Sequence, residues 1–303
     1  MKIVNLIKFL FLCLAAAILV IIAFDTSYTR ESNNLEITFL DVGQGDCAYI
    51  KTPDNFRLLI DSGDKGTYKN YLKPFMGSRR INSIDAAVVT HFDSDHFYGL
   101  YEMFGKKRVD KVYVPYGAHY NYLTDILYES CLYHDIDYES IKMGDIIYEG
   151  KDGVKIWALF PNNLIYDNRE NITQNNDSIV IMLEYKDKKF LFMGDIENDA
   201  EIALIKYMDL KADVLKVGHH GSETSTSKFF INEVRPKYSV ISCGYENKFD
   251  LPDITVIDRL ETFGSKVYRT DLDGDITFLV DEEGELSVKT AKQGDWYGSK
   301  GIR

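Results

Sequence analysis

What this sequence has little of narrows its class quickly. Cysteine is scarce, with four among 303 residues. One, Cys13, lies in an apolar N-terminal run, and Cys47, Cys131 and Cys243 form an odd, scattered set that excludes a disulfide framework. They read as small buried hydrophobes. Positive charge is in deficit: 35 Lys and Arg against 47 Asp and Glu give a formal net charge of -12. That argues against a generally nucleic-acid-binding surface, because a polyanion is repelled at long range. The local basic stretches, Lys73 to Arg80, Lys106-Lys107-Arg108 with Lys111, and Lys206-Lys211-Lys216, read as solvated faces. No Pro/Gly/Ser-rich linker and no internal repeat divides residues 35–303, so they read as one large domain. Long hydrophobic runs are missing too, with one exception.

The exception is the uncharged stretch from Phe9 to Phe24, within residues 1–25. Lys2 and Lys8 precede it and Asp25 ends it, a charge bias that puts the N-terminus in the cytoplasm and the rest of the chain outside. A signal peptide has the same layout, but no convincing small-x-small cleavage site follows. The expectation is an uncleaved single transmembrane helix, a tether over residues 26–34, and an extracytoplasmic domain at the cell membrane.

Within that domain the densest chemistry is Thr90-His91-Phe92-Asp93-Ser94-Asp95-His96. It follows Ala86-Ala87-Val88-Val89, a short apolar run that reads as a buried strand, and it precedes a helix expected from Phe97 to Phe104. Two imidazoles and two carboxylates at a strand's C-terminal end sit where α/β proteins place their sites, and together they attract divalent cations. A turn of acidic residues capping the next helix would explain Asp93 or Asp95 but not the flanking histidines.

Other strands end in similar residues. Leu35 to Val42 leads to Gly43-Gln44-Gly45-Asp46, and Phe56 to Ile60 ends at Asp61. Both carboxylates are open between satisfying turn amides and supporting the site. Lys189 to Met193 ends at Gly194-Asp195. Asp213 to Val217 delivers Gly218-His219-His220-Gly221, so four of the six histidines follow just two strands. His119 and His134 read as surface residues. Asn162 to Asp177 reads as a long Asn-rich loop of the kind that binds substrate. Strands, then alternating helices and strands, then strands again suggest two sheets covered by helices.

These pieces resemble the metallo-β-lactamase superfamily, and within it the extracellular metallohydrolase domain of the ComEC competence proteins. The resemblance rests on Phe39 to Asp46, Leu59 to Gly63, Thr90-His91-x-Asp93-x-Asp95-His96, Asn176-x-Ser178, Met193-Gly194-Asp195, Ala212 to Ser222 and Tyr268 to Asp271. It implies an αββα sandwich with two divalent ions, Zn or Mn. His91 and Asp93 would bind the first ion, Asp95 and His96 the second, and Asp195 would bridge them. His220 would be a further ligand, and His219 would complete the site or contact a phosphate. Asp95, His219 and His220 are the candidate catalytic residues. The carboxylate-rich set favours Mn²⁺. The second position of the motif, Asp93, is His in most of the superfamily. The larger departure is Leu251, where the ComEC-like pattern has a histidine.

The function implied is a membrane-anchored, extracytoplasmic hydrolase in which ionised metal-bound water attacks phosphodiesters, DNA included. An esterase or phosphocholine-type hydrolase of envelope polymers is the second reading. A non-catalytic binding module that kept the fold is the third.

Overall fold

Period-two alternation decides how the strands stack. In the computed structural model, which describes residues 33–162 and 173–293, Leu58 and Ile60 face one side of their strand while Leu59 faces the other. Ala86 and Val88 likewise oppose Ala87 and Val89, as the pleat requires.

The first half of the chain supplies β1 (Leu35–Phe39), β2 (Ala48–Lys51), β3 (Arg57–Ile60), β4 (Ser83–Ile84), β5 (Ala86–Val88), β6 (Arg108–Val109), β7 (Lys111–Pro115) and β8 (Asp137–Ile141). The next strands are β9 (Ile146–Glu149), β10 (Lys155–Phe160), β11 (Val180–Tyr185), β12 (Lys188–Phe192), β13 (Val214–Lys216), β14 (Tyr238–Ile241) and β15 (Lys266–Arg269). The chain then returns through β16 (Ile276–Val280) and β17 (Leu286–Thr290). One sheet runs β17-β16-β1-β2-β3-β5-β7-β8 and the other β15-β14-β13-β12-β11-β10-β9, with β4 and β6 paired apart. Each large sheet is mixed. Pairing is antiparallel from β17 to β3 and from β9 to β12, and parallel from β3 to β8 and from β12 to β15.

Three apolar layers follow. Between the sheets lie Ile37, Phe39, Ile181, Leu183, Phe192 and Phe278 with their neighbours, and Phe278 meets Phe39 edge-on at 6.1 Å. A second layer packs Leu59 and Val89 against Phe97, Leu100 and Leu127 of the helices Ser94–Met103 and Tyr122–Tyr133. A third packs Leu191 and Leu215 against Leu204, Phe230 and Leu260 of Asn198–Tyr207, Lys228–Val234 and Ile254–Thr262. Each fully buried large side chain contributes on the order of 2 kcal/mol, so the layers hold the fold independently of the loops at the sheet edge.

Several expectations change here. The helix after the central motif starts at Ser94, not Phe97, which puts Asp95 and His96 in its first turn. Strands β8 and β9 and the helix Lys228–Val234 add to the expected elements; β8 is largely exposed and polar. Lys216, read with its basic stretch as solvated, is buried. Cys47, Cys131 and Cys243 are free and buried. The segment expected to cross the membrane lies outside the described residues, and among those no helix is long and apolar enough to do so.

Candidate metal centre

The loops after β3, β5, β12 and β13, and the turn after β1, all open at one edge of the sandwich. That edge is the C-terminal end of the parallel strands, where backbone amides and carbonyls lose their ladder partners and loops can carry chemistry. Asp46, Asp61, His91, Asp95, His96, Asp195 and His220 converge there in overlapping groups of three whose ligand atoms lie within 4.8 Å of one another.

Close backbone approach makes this possible. Gly45 holds φ +123°, and a Cβ there would stand 2.3 Å from the Asp95 carbonyl oxygen; the Asp46 amide instead donates to that oxygen at 3.2 Å. Gly194, at φ +54°, would drive a Cβ to 2.8 Å from that of Ser178. No larger residue fits either position without displacing the loops.

The hydrogen bonds decide which imidazole nitrogens face the pocket. His96 Nδ1 lies 2.9 Å from Asp61 Oδ2, and a carboxylate can only accept, so Nδ1 carries the proton and Nε2 the lone pair. His220 Nδ1 lies 3.0 Å from the Ser242 carbonyl oxygen, with the same consequence. His91 Nδ1 faces the Thr90 hydroxyl at 3.2 Å and the Ser178 hydroxyl at 3.3 Å. Both hydroxyls have donated elsewhere, Thr90 to Asp61 Oδ2 and Ser178 to the Asn175 carbonyl, so both accept from His91. Three Nε2 atoms therefore point inward. They lie 3.9, 3.4 and 3.3 Å from Asp195 Oδ2 for His91, His96 and His220.

Electrostatics agree with the geometry. Burial alone would lower the pKa of His96 and His220, but the Asp195 charge beside both raises them well above the ordinary imidazole value. Asp195 is also buried, which disfavours its charge, yet His220 and His96 hold it well below the carboxylate range. Asp95 follows the same pattern: burial opposes its charge, and His220 and His96 lower it. The pocket pulls positive charge onto the Nε2 atoms of His96 and His220, as protons or as a divalent ion.

The residues fit a metal on one further observation. His91 Nε2, His96 Nε2 and Asp195 Oδ1 are buried polar atoms without a hydrogen-bond partner, and so is Asp46 Oδ1, beside His220 Nδ1. Such atoms are costly, and three aimed at one space are accounted for by cations there. His91, His96, His220, Asp95 and Asp195 all fall within the overlapping groups of three, and Asp93, with Oδ2 3.7 Å from His91 Nε2, stands at the open side. Asp93 occupies the N-cap position of the helix but makes no side-chain cap hydrogen bond, which removes the capping explanation for it.

His219 does not join the cluster. Its Nδ1 lies 3.2 Å from Thr224 Oγ1 and 3.6 Å from Glu197 Oε1, and its Nε2 lies 3.4 Å from Asn175 Nδ2. Asp61 supports His96 and the Thr90 amide and hydroxyl. His119, expected to be a partnerless surface residue, is hydrogen-bonded through Nδ1 to the buried Asp177 at 2.7 Å; no local spacing in the sequence signals that pairing. Gln174 donates to Asp93 Oδ1 and to the Phe92 carbonyl oxygen, so the Asn-rich loop reaches the rim through its last residues. Residues 163–172 of that loop lie outside the described residues. On the opposite side Asn247 binds the Leu251 backbone at both N–H and C=O, and Pro252 abuts Gly221 beside His220.

Comparison with known proteins adds the following. A family model described as the metallo-beta-lactamase superfamily matches residues 40–159 and 167–245. ComE operon protein 3 of Bacillus subtilis (strain 168) is 29% identical over 268 residues, covering 83% of this chain and 34% of that protein. Competence protein ComA of Neisseria gonorrhoeae is 29% identical over 267 residues, covering 86% of this chain and 35% of that protein. The chain thus spans about a third of the length of these relatives. Among solved structures, the metallo-beta-lactamase fold protein YhfI from Bacillus subtilis superposes with a TM-score of 0.52 at 12% identity, over 81% of this chain and 99% of YhfI. The CmlA beta-hydroxylase E377D mutant gives 0.54 at 14% identity, over 84% and 56%. These two likenesses concern the fold alone.

Proposed function

The chain belongs to the metallo-beta-lactamase superfamily, and from that membership we propose that it is an extracytoplasmic, membrane-anchored, metal-dependent hydrolase of phosphodiesters. The observation that carries the reading is the convergence of three Nε2 atoms on Asp195 Oδ2, two of them buried without a hydrogen-bond partner. His91, Asp93, Asp95, His96, Asp195 and His220 would hold two divalent ions. Such ions supply Lewis-acid polarisation and lower the pKa of water, and the hard carboxylate donors favour Mn²⁺ over Zn²⁺.

The chain's own residues prepare the reaction. Asp61, Thr90, Ser178 and Ser242 lock the three rings, so little ordering entropy remains to be lost at the site. Asp195 presents its carboxylate from the turn at Gly194, between the two histidine loops. His219, Asn175 and Thr224 line the rim and would contact the non-reacting phosphate oxygens. The relationship to competence proteins supports a nucleic-acid phosphodiester, while the formal charge of -12 requires contact to be local and salt-sensitive. The apolar run from Phe9 to Phe24 with Lys2 and Lys8 before it supports the single anchor at residues 1–25. Residues 26–34 would then be the tether and 35–303 the hydrolase domain.

The test uses the detergent-solubilised full chain. Metal analysis should find two ions per chain, and bis(p-nitrophenyl) phosphate should be hydrolysed faster with Mn²⁺ than with Zn²⁺. Background rates on both this phosphodiester and a choline ester at saturating metal, with both ions bound, would leave only the binding-module reading. Turnover of a choline ester with none of the phosphodiester would favour the esterase.

A further inference from the structure

Asp46 belongs to two of the groups able to hold a cation, yet a second feature of the pocket sets it apart from Asp195. We propose that Lys216 is an internal counter-cation that withdraws Asp46 from the ligand set and so confines the ions to the space around Asp195. The inference rests on the metal-site reading above.

Strand alternation puts the lysine there. Val214 faces the layer between the sheets and Leu215 the outer layer, so Lys216, next along β13, turns inward again. Its side chain is 4% exposed and its Nζ lies 2.7 Å from Asp46 Oδ2. The ammonium also donates to the Val217 carbonyl oxygen at 2.8 Å. Phe39, Ile60 and Phe192, with Asp61, Thr90 and Ser242, line the adjoining cavity, which has a volume of about 10 Å³, room for one water at most. No bulk solvent reaches this ammonium, so a carboxylate must balance it.

Asp46 is that carboxylate, and this changes what it can do for a metal. A divalent ion on Asp46 would share one carboxylate with an ammonium in a low-dielectric setting, where like charges repel strongly. Asp46 Oδ1 lies 3.2 Å from His220 Nδ1, on the side of the ring away from the pocket, and makes no hydrogen bond there, because that nitrogen donates to the Ser242 carbonyl oxygen. Asp195 is placed differently. The basic groups within ion-pair distance of it are the imidazoles of His91, His96 and His220, whose Nε2 lone pairs face the same space, which leaves its charge for the ions. Two buried aspartates with similar sequence settings, each beside a glycine at a strand end, are thus separated by one lysine from a third strand. Lys216 is a positioning residue, and its effect is on ion number and affinity.

The test is a Mn²⁺ titration of the full chain, followed by calorimetry for stoichiometry and Kd, with melting curves taken in metal-free buffer. Lys216→Met should bind Mn²⁺ more than about tenfold tighter, because Asp46 is released to it. The same variant should melt lower than wild type in metal-free buffer and recover with Mn²⁺. The double variant Lys216→Met/Asp46→Asn removes the pair together and should keep the wild-type ion count, with Kd within about threefold. Loss of an ion in the double variant would show that Asp46 is a ligand and overturn the proposal. Wild-type affinity in Lys216→Met would overturn it as well. If Lys216→Met does not fold without metal, the double variant still decides. Should wild type bind no Mn²⁺ while Lys216→Met does, the two-ion reading fails but the ammonium is still the group that excludes the ion. No binding in any of the three proteins sinks both.

Discussion

His91 and His96 lie five positions apart across a strand–helix junction, whereas His219 and His220 are adjacent in a turn, and only the first pair enters the centre together. The junction explains the first case. His91 leaves β5 in the loop and His96 sits in the first turn of Ser94–Met103, so the chain bends back and the two rings face each other with centroids 4.1 Å apart. The turn explains the second. His219 and His220 both take left-handed backbone, with φ 47° and 52°, and their rings diverge at 64° with centroids 6.2 Å apart. One turns to Asp195, the other to Glu197 and Thr224. Spacing by itself does not tell which histidine joins the cluster; the backbone conformation between them does.

The largest expected contrast lies inside the second pair. His220→Ala should lose one ion per chain and on the order of 10³-fold in turnover, the scale of several kcal/mol of lost polarisation. His219→Ala should keep both ions and lose no more than about tenfold, because its contacts are at the rim. Equal losses of metal in the two variants would break the comparison.

Asp61→Asn sharpens the first pair. It keeps the size of the side chain but weakens the acceptor that orients His96 and the Thr90 hydroxyl, so metal affinity should fall by about 10- to 100-fold. An unchanged Kd would mean that the junction holds His96 without help.

Leu251→His probes the ground between the pairs, since Pro252 next to it touches Gly221. An added imidazole there should raise affinity for one ion by a few fold and turnover with it. Falling activity would show instead that the leucine lines a substrate pocket.

A last effect, on stability and not on the site, concerns a carboxylate outside both loops. Asp41, whose amide is held by Asp275 Oδ1, is pushed up to about 6 from 3.8, chiefly by burial. A carboxyl with a raised folded-state pKa favours folding when protonated, so its contribution is present below about pH 4 and lost as pH rises through about 6. Asp41→Asn should therefore gain at most about 3 kcal/mol near pH 7 and flatten the pH dependence of melting between pH 4 and 6. A variant that melts like wild type at pH 7 would show that Asp41 pays no such penalty.

Much of this architecture is local and so was legible before any fold was known. Arg57–Ile60, Ala86–Val88, Lys188–Phe192 and Val214–Lys216 lie within a residue of their expected ends because period and turn residues mark them. The strand-end placement of His91, Asp93, Asp95, His96, Asp195 and His220 was legible for the same reason.

Tertiary structure alone decided the partners. Asp46 meets Lys216, Asp61 meets His96, and His119 meets Asp177 only because sheet order brings distant strand ends to one edge. A lysine that reads as part of a basic stretch is buried because the pleat turns it inward, where a carboxylate from β1's turn is waiting. Which face a residue takes follows from the period of its own strand. Which charge it meets depends on the strands that pack beside it, and no local pattern carries that.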